Sequence, residues 1–198
     1  MAEALAGAPV PYPDPVVLGL ARGGVLPAAE VAAGLTARLD VLVVRKLGHP
    51  RRPELGLGAI GEAGVLVLNE PLLARLGIGA EALDAIIVRE RAELARRAAV
   101  YRPGGVPAVL TGATAVVVDD GLATGFSALA AVQVVRRRGA VRVVLAVPVA
   151  AREAMALLRP AVDELVCLVV PGAFGSVSQA YRTFDQVPDG AVLAALGR

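Results

Sequence analysis

The sequence predicts an α/β protein: a parallel β-sheet flanked by helices, with a small appended segment at the C-terminal end. Three observations predict it. Short β-branched runs alternate with helical stretches, the pattern of strands joined by crossover helices. Hydrophobic residues make up 56% of the 198 positions, enough for one substantial core, so a single domain over 1–198 is expected. Aromatics supply only 3%, with no Trp, so that core must be built from Val, Leu, Ile and Ala.

The elements follow in order. Val16-Val17-Leu18-Gly19-Leu20 reads as a buried strand, followed by Ala21-Arg22-Gly23-Gly24 and a helix to about Gly34. Asp40 to Arg45 is a second strand, and residues 56–69 form a hairpin turning at Gly61-Glu62-Ala63-Gly64. Glu81 to about Val100 is an amphipathic helix, with Leu83, Ile87 and Leu94 on one face and a Glu93–Arg97 pair at i, i+4 on another. Tyr101-Arg102-Pro103-Gly104-Gly105 breaks it and opens a loop to Thr111, the expected lid. Ala115–Asp119 is the third core strand and Phe126–Arg138 its helix, closed by Gly139. Val141–Val147, Ala151–Leu158 and Leu165–Val170 continue as strand, helix and strand. The core is thus expected over about 16–170. The last thirty residues concentrate turn residues and half of the six Phe and Tyr, and read as a flap.

Composition excludes several function classes. The apolar run from Leu165 to Tyr181 is interrupted by Pro171 and Gly175, short of the roughly 20 apolar residues of a membrane span. The N-terminus opens with Glu3 and has no basic region, unlike a signal peptide. A lone Cys167 gives no internal disulfide and suits a reducing, cytoplasmic setting. Net charge is +2. Arg136-Arg137-Arg138 ends a helix, where it complements the helix dipole, and no aromatics interleave with the basic residues, which argues against nucleic acid as ligand. Gly56-Leu57-Gly58-Ala59-Ile60-Gly61 fits G-x-G-x-x-G, yet Pro50 and Pro53 precede it where a strand is required and a turn follows where a helix is required. With one His (His49) and one Cys, neither a Ser-His-Asp enzyme nor an ordinary zinc site is expected.

The strongest signal is Val116-Val117-Val118-Asp119-Asp120-Gly121-Leu122-Ala123-Thr124-Gly125-Phe126-Ser127. An apolar strand ends in two carboxylates, and a small-residue loop then carries hydroxyls into a helix N-terminus. Free N–H groups and the positive dipole end suit a phosphate there. Two carboxylates beside an anion site are unfavourable unless they hold polyol hydroxyls or a cation, and a phosphorylated sugar with Mg²⁺ meets both demands. The segment resembles the phosphoribosyl pyrophosphate motif of type I phosphoribosyltransferases, departing at Gly121, where the family usually has an aliphatic residue.

That resemblance covers roughly residues 16–185. It implies a type I phosphoribosyltransferase-like parallel sheet flanked by helices, with a C-terminal hood over about 171–198 and a contribution from 50–70. It implies that Asp119, Asp120 and Ala123-Thr124-Gly125-Phe126-Ser127 bind the ribose 5-phosphate end. Ala21-Arg22-Gly23-Gly24 occupies the position of the family's pyrophosphate loop, often with a cis peptide; alone, its glycines are also what any tight strand-to-helix turn prefers. Arg45-Lys46-Leu47-Gly48 resembles the Arg-Lys-x-Gly segment of adenine phosphoribosyltransferases, which puts Arg45 or Lys46 near the phosphates and counts both among the residues expected to bind pyrophosphate. Lys46 is the single Lys among twenty basic residues, a point charge where every other position took Arg; a chance surface lysine is the plain alternative.

Phe174, Tyr181 and Phe184 fall where the family's hood closes over the acceptor, and the residues leave open whether they stack on a base or fill the hood. The implied reaction displaces pyrophosphate from C1 of phosphoribosyl pyrophosphate by a nitrogen nucleophile, expected to be a nucleobase. Asp119, Asp120 and Lys46 are the expected catalytic residues, Mg²⁺ the cofactor, carried by the substrate, and a homodimer the assembly. Ala123 stands where hypoxanthine- and guanine-using members carry an Asp. The rival expectation is a non-catalytic sensor of phosphoribosyl pyrophosphate or nucleotide on the same fold.

Overall fold

The computed structural model describes residues 1–7 and 12–198. Of the stretch before Val16, residues 8–11 lie outside the described residues. The chain runs α1 (Ala2–Ala6), β1 (Pro15–Leu20), α2 (Val25–Leu35), β2 (Arg38–Leu42), β3 (Val44–His49), β4 (Arg52–Gly61), β5 (Val65–Leu68), α3 (Glu70–Leu76), α4 (Ala80–Tyr101), β6 (Thr114–Val118), α5 (Phe126–Arg137), β7 (Arg142–Val149), α6 (Arg152–Leu158), β8 (Glu164–Val169) and α7 (Asp189–Ala195), with a 3₁₀ turn at Val177–Ala180.

Five strands form one parallel sheet in the order β2-β1-β6-β7-β8. Its strands alternate faces with period two. Val16, Leu18 and Leu20, with Ala115, Val117, Val143, Leu145 and Val147, pack on the α5 and α6 side. Val17, Val116, Val118, Val144 and Ala146 pack on the side of α1 and α2. Both faces are covered, which is why these strands read as unbroken apolar runs. The strand order reverses between β1 and β6, so the loops leaving these two strands part to opposite faces and open a crevice at their carboxyl ends. Those loops are 21–24 and 119–125.

A second sheet, antiparallel β3-β4-β5, stands beside the first. Val44, Ala59, Val65 and Val67 turn toward the α5 side. Leu47, Leu57 and Ile60 turn the other way, onto Leu72 and Leu73 of α3 and Ile86 and Ile87 of α4.

Several expectations change here. The strand expected from Asp40 to Arg45 is two strands that break at Val43, and Arg45-Lys46-Leu47-Gly48 lies inside β3 instead of after a strand. Gly56 to Gly61 lies within β4, so the strand absent from the sequence reading of G-x-G-x-x-G exists; what excludes dinucleotide binding is that another strand, β5, follows and no helix does. The appended tail is not only a flap: α7 returns to the body, where Val192 is buried with Val25, Val41, Val43 and Tyr101.

The expected lid is also overturned. Tyr101 is 0% and Arg102 6% exposed. The loop then runs to the amino end of β6, where the Arg138 guanidinium donates to the Ala108 carbonyl and the Gly112 N–H to the Gly139 carbonyl. That is the end of the sheet opposite the crevice.

Arg102 instead anchors a buried charge cluster. It pairs with Glu62 and approaches Asp40 at 4.0 Å. Asp40 also accepts from the Ala108 N–H at 2.9 Å, and Glu62 from the Val43 N–H at 3.1 Å. Asp40 keeps a second cation, Arg198, whose Nη2 donates to it at 3.2 Å, so removing Arg102 would leave chiefly Glu62 without its ion-pair partner in the interior. Arg102→Leu is therefore expected to lower stability by about 3–5 kcal/mol, measured by urea unfolding; an unchanged midpoint would show that the cluster relaxes into solvent.

Candidate active site

β6 delivers the acid pair. Val116, Val117 and Val118 are fully buried, so the strand's direction is set by the core and its last peptide places Asp119 and Asp120 at the crevice. The Asp120 N–H donates to Asp119 Oδ1 at 2.9 Å. Burial, then the charge of Asp120, pushes the Asp119 carboxyl well above the usual carboxylate range, and burial pushes Asp120 up as well.

The 21–24 loop packs directly on this pair. A Cβ at Gly24 would lie 2.5 Å from the Val118 carbonyl oxygen and 2.8 Å from Asp119 Cα, and one at Gly23 would lie 1.8 Å from Asp120 Oδ2. Only glycine permits this approach. The Ala21–Arg22 peptide is cis.

After Asp120 the chain is pinned by the Leu122 N–H donating to the Val149 carbonyl at 2.9 Å. Gly125, at φ 82°, turns it into α5. Phe126 packs its ring against the core, so this residue has only its backbone to offer a ligand.

Two cavities of unlike lining flank the pair. The first, about 380 Å³, is bordered by Asp119, Thr124, Ser127 and Lys46, with Gly175-Ser176-Val177 of the tail above. The second, about 430 Å³, is bordered by Asp120, Gly23, Arg22, Arg45 and Arg97, with Phe184 to Val187. Arg45 and Lys46 are adjacent on β3 and so leave it on opposite faces. Of the two residues expected together at the pyrophosphate, Arg45 therefore borders the second cavity and Lys46 the first, although both also border a third space of about 290 Å³ with His49 and Arg89. Arg45 is held by Glu90, its Nε and Nη2 donating to Oε2 at 3.0 and 2.8 Å. Gly56 makes room for the Lys46 stem: a Cβ there would sit 3.1 Å from Lys46 Cε.

The tail aromatics do not converge on one pocket. Phe174 packs against the core, whereas Phe184 borders the second cavity. Tyr181 stacks on Phe184, centroids 5.2 Å apart, and its hydroxyl donates to the Asp120 carbonyl at 2.5 Å. The departure at Gly121 has a steric cause, because a Cβ there would lie 2.7 Å from Val177 Cγ1. The sequence signals Arg97 only as half of an i, i+4 pair on α4, and it places Gly175 to Val177 in the hood without showing which cavity they border.

Among the described residues no group of three His, Cys, Asp or Glu side chains could hold a metal ion. The two crevice carboxylates fit Mg²⁺ only if the ion takes its remaining oxygens from substrate and water, as Mg²⁺ commonly does with phosphates. No helix among the described residues is long and apolar enough to cross a membrane.

Comparison with known proteins agrees with this geometry. The protein TT1426 from Thermus thermophilus is similar in structure, with 45% identity and a TM-score of 0.77, covering 98% of this chain and 91% of that one. Mycobacterium tuberculosis proteins named as candidate phosphoribosyl transferases, from two strains, are 52% identical over 183 residues, covering 92% of this chain and 41% of theirs. The chain thus spans about two fifths of the length of those relatives. The adenine phosphoribosyltransferase of Streptomyces galbus is 31% identical over 135 residues, 65% of this chain and 70% of that one. A family model described as the phosphoribosyl transferase domain matches residues 2–180, from before β1 to the tail turn and across both loops that meet at the acid pair; the chain belongs to the phosphoribosyl transferase domain family.

Proposed function

We propose that the chain transfers the ribose 5-phosphate group of phosphoribosyl pyrophosphate to a nitrogen nucleophile and releases pyrophosphate. The observation that carries this reading is the acid pair lying between two cavities, one bordered by hydroxyls at a helix N-terminus and the other by guanidiniums and a glycine loop. A substrate with a phosphate at one end, a diol in the middle and a diphosphate at the other matches that sequence of linings.

In this reading Thr124, Ser127 and the α5 N-terminus hold the 5-phosphate, with Lys46 beside it. Asp119 and Asp120 accept hydrogen bonds from the ribose hydroxyls. Arg22, Arg45 and the Gly23 loop take the pyrophosphate. The C1–O bond breaks with its electron pair leaving on pyrophosphate, the nucleophile's lone pair forms the C1–N bond, and the nitrogen proton is lost to solvent or a base. The guanidiniums stabilise the departing charge, so the rate enhancement is positional and electrostatic. Mg²⁺, when bound, would supply further neutralisation of the pyrophosphate. We take 171–187 as the hood, the reducing cytoplasm as setting and a homodimer as assembly, the last measurable by sedimentation.

The acid pair sets the first two tests. Asp119→Asn combined with Asp120→Asn should abolish phosphoribosyl pyrophosphate binding in titration calorimetry while the fold survives; unchanged affinity in a folded protein removes the assignment. The pair should also cost the empty protein stability. Its folded-state carboxyls are raised, so the stability they carry is full below the unfolded value near 4 and is lost as pH rises through the raised values. Asp119→Asn should accordingly raise Tm at pH 7, with the gain gone at pH 3. An equal gain at both would point to packing instead of charge.

Lys46→Gln should weaken substrate binding or turnover on the order of tenfold, within the range for one charged hydrogen bond. Lys46→Arg should recover it only in part, because a planar fork does not replace a point charge.

The acceptor is addressed by Ala123, which can neither accept nor donate a proton. A 6-oxopurine would lack the general base that an Asp at this position offers, an effect typically of about 10²–10⁴-fold. Hypoxanthine and guanine are expected to be poor substrates next to adenine or small amines in a pyrophosphate-release assay; efficient guanine turnover would refute this. The scattered placement of Phe174, Tyr181 and Phe184 favours a second reading, a regulator that binds phosphoribosyl pyrophosphate without turning it over. Tight binding with no turnover across purines, pyrimidines and amines would select it.

A further inference from the structure

We propose that Arg97, on the inward face of α4, is a third guanidinium ligand for the pyrophosphate group, completing with Arg22 and Arg45 the anion-binding wall of the second cavity. This rests on the phosphoribosyl pyrophosphate reading above and adds a residue that belongs to neither of the loops from which that reading starts.

Three elements converge on the cavity, each contributing one arginine: the loop after β1, strand β3 and helix α4. Their side chains are 18%, 25% and 16% exposed for Arg22, Arg45 and Arg97. They stand at a partly dried wall, where a charge acts more strongly than on an open surface. Each has a carboxylate behind it. Glu90 takes Arg45 Nε and Nη2, Glu93 takes Arg97 Nε at 2.7 Å, and Asp189 lies 3.7 Å from Arg22. On α4 the positions 90, 93, 97 and 101 recur at three- and four-residue spacing and so share one face. At its end the buried Tyr101 hydroxyl donates to Asp189 at 2.6 Å.

A guanidinium held by its Nε still has its two terminal nitrogens to offer, and their planar fork matches phosphate oxygens. Among the described residues, the bond to Glu93 is the one that Arg97 makes. Glu93 also takes Arg96, and hydrogen bonds from both arginines pull its carboxyl down to about 2. The anchor therefore stays ionised throughout the neutral range.

Placement, not net charge, carries the case for Arg97. Asp120 and Asp185 also border the cavity, and each arginine has its own carboxylate behind it, so an anion would be held by the donors that remain directed into the space: the terminal guanidinium nitrogens and the glycine loop. Arg97 supplies such a donor from a side of the cavity that neither Arg22 nor Arg45 covers, helix α4.

The two ends of the substrate can be tested separately, using ribose 5-phosphate and pyrophosphate, each with Mg²⁺, in titration calorimetry of the full chain. Arg97→Gln should weaken pyrophosphate on the order of tenfold and leave ribose 5-phosphate within about twofold, with Arg97→Lys recovering part of the loss. Glu93→Gln keeps the Arg97 charge but removes its anchor, and should weaken pyrophosphate by a smaller factor; it serves if Arg97→Gln fails to fold. Wild-type pyrophosphate affinity in Arg97→Gln or, should that variant not fold, in Glu93→Gln overturns the proposal and makes Arg97 a structural partner of Glu93. An equal loss of both probes overturns it too, as a general collapse of the site. Should the wild-type chain bind ribose 5-phosphate but not pyrophosphate, the second cavity is misassigned and Arg97 with it. If the wild-type chain binds neither, the phosphoribosyl pyrophosphate reading itself has failed.

Discussion

The rest of the site depends on one unfavourable arrangement: two adjacent carboxylates at the end of a fully buried strand. Asp119 and Asp120 repel each other and are poorly solvated, and both are raised above their ordinary range. A core that buries Val116 to Val118 on both faces leaves the strand no freedom to swing them into water. The surroundings are organised around that constraint. Gly23 and Gly24 bring the neighbouring loop against the pair, and Tyr181 grips the Asp120 carbonyl from above. Cationic side chains stand on either side, with Lys46 toward the first cavity and the arginines toward the second. On the function proposed above, such a site would hold part of its binding energy in advance, because hydroxyl donors that satisfied the carboxylates would relieve a cost already present in the empty protein.

How much of this could be read in the sequence depended on the range of the interactions. The segment from Val116 to Ser127 was legible because strand, acids, loop and helix start are all local, and α/β topology puts the end of such a strand at a crevice. The Ala21 to Gly24 turn was legible for the same reason, although the close approach that requires its glycines is visible only in three dimensions. The break at Val43 was not legible: β2 and β3 are continuous in β propensity, and only pairing with different partners separates them. The loop after Tyr101 looked like a lid because its Pro and Gly content reports turning, not location. Pairing with Glu62 and the descent to the amino end of β6 place it away from the crevice. Arg97 was hidden because an i, i+4 pair with Glu93 has the same sequence on an open surface as on the wall of a cavity.

The arginine-rich composition acquires a structural meaning from these placements. Arg136, Arg137 and Arg138, the densest basic run, turn to Asp163 and to the carbonyls of Val141, Ala63 and Ala108. Their work is to tie the end of α5 to neighbouring loops, which a multi-donor fork does better than an ammonium. Arg102 does the same for Asp40 and Glu62 inside the body. The single Lys stands instead beside the hydroxyl-lined cavity, where its compact charge faces Thr124 and Ser127.

Gly121 and Val177 occupy what is in effect one volume shared by two distant stretches of chain. An aliphatic side chain at this point is normally supplied by the loop itself; here the loop gives up its side chain and the tail returns one. Size at position 121 is therefore coupled to size at position 177, fifty-six residues later. Among homologous sequences, a glycine after the acid pair should travel with a branched residue in the tail turn, and an aliphatic one with a tail that is small there or runs elsewhere. That paired choice is a two-letter signature that separates chains closing the crevice from behind with their own C-terminal strap from chains that close it another way.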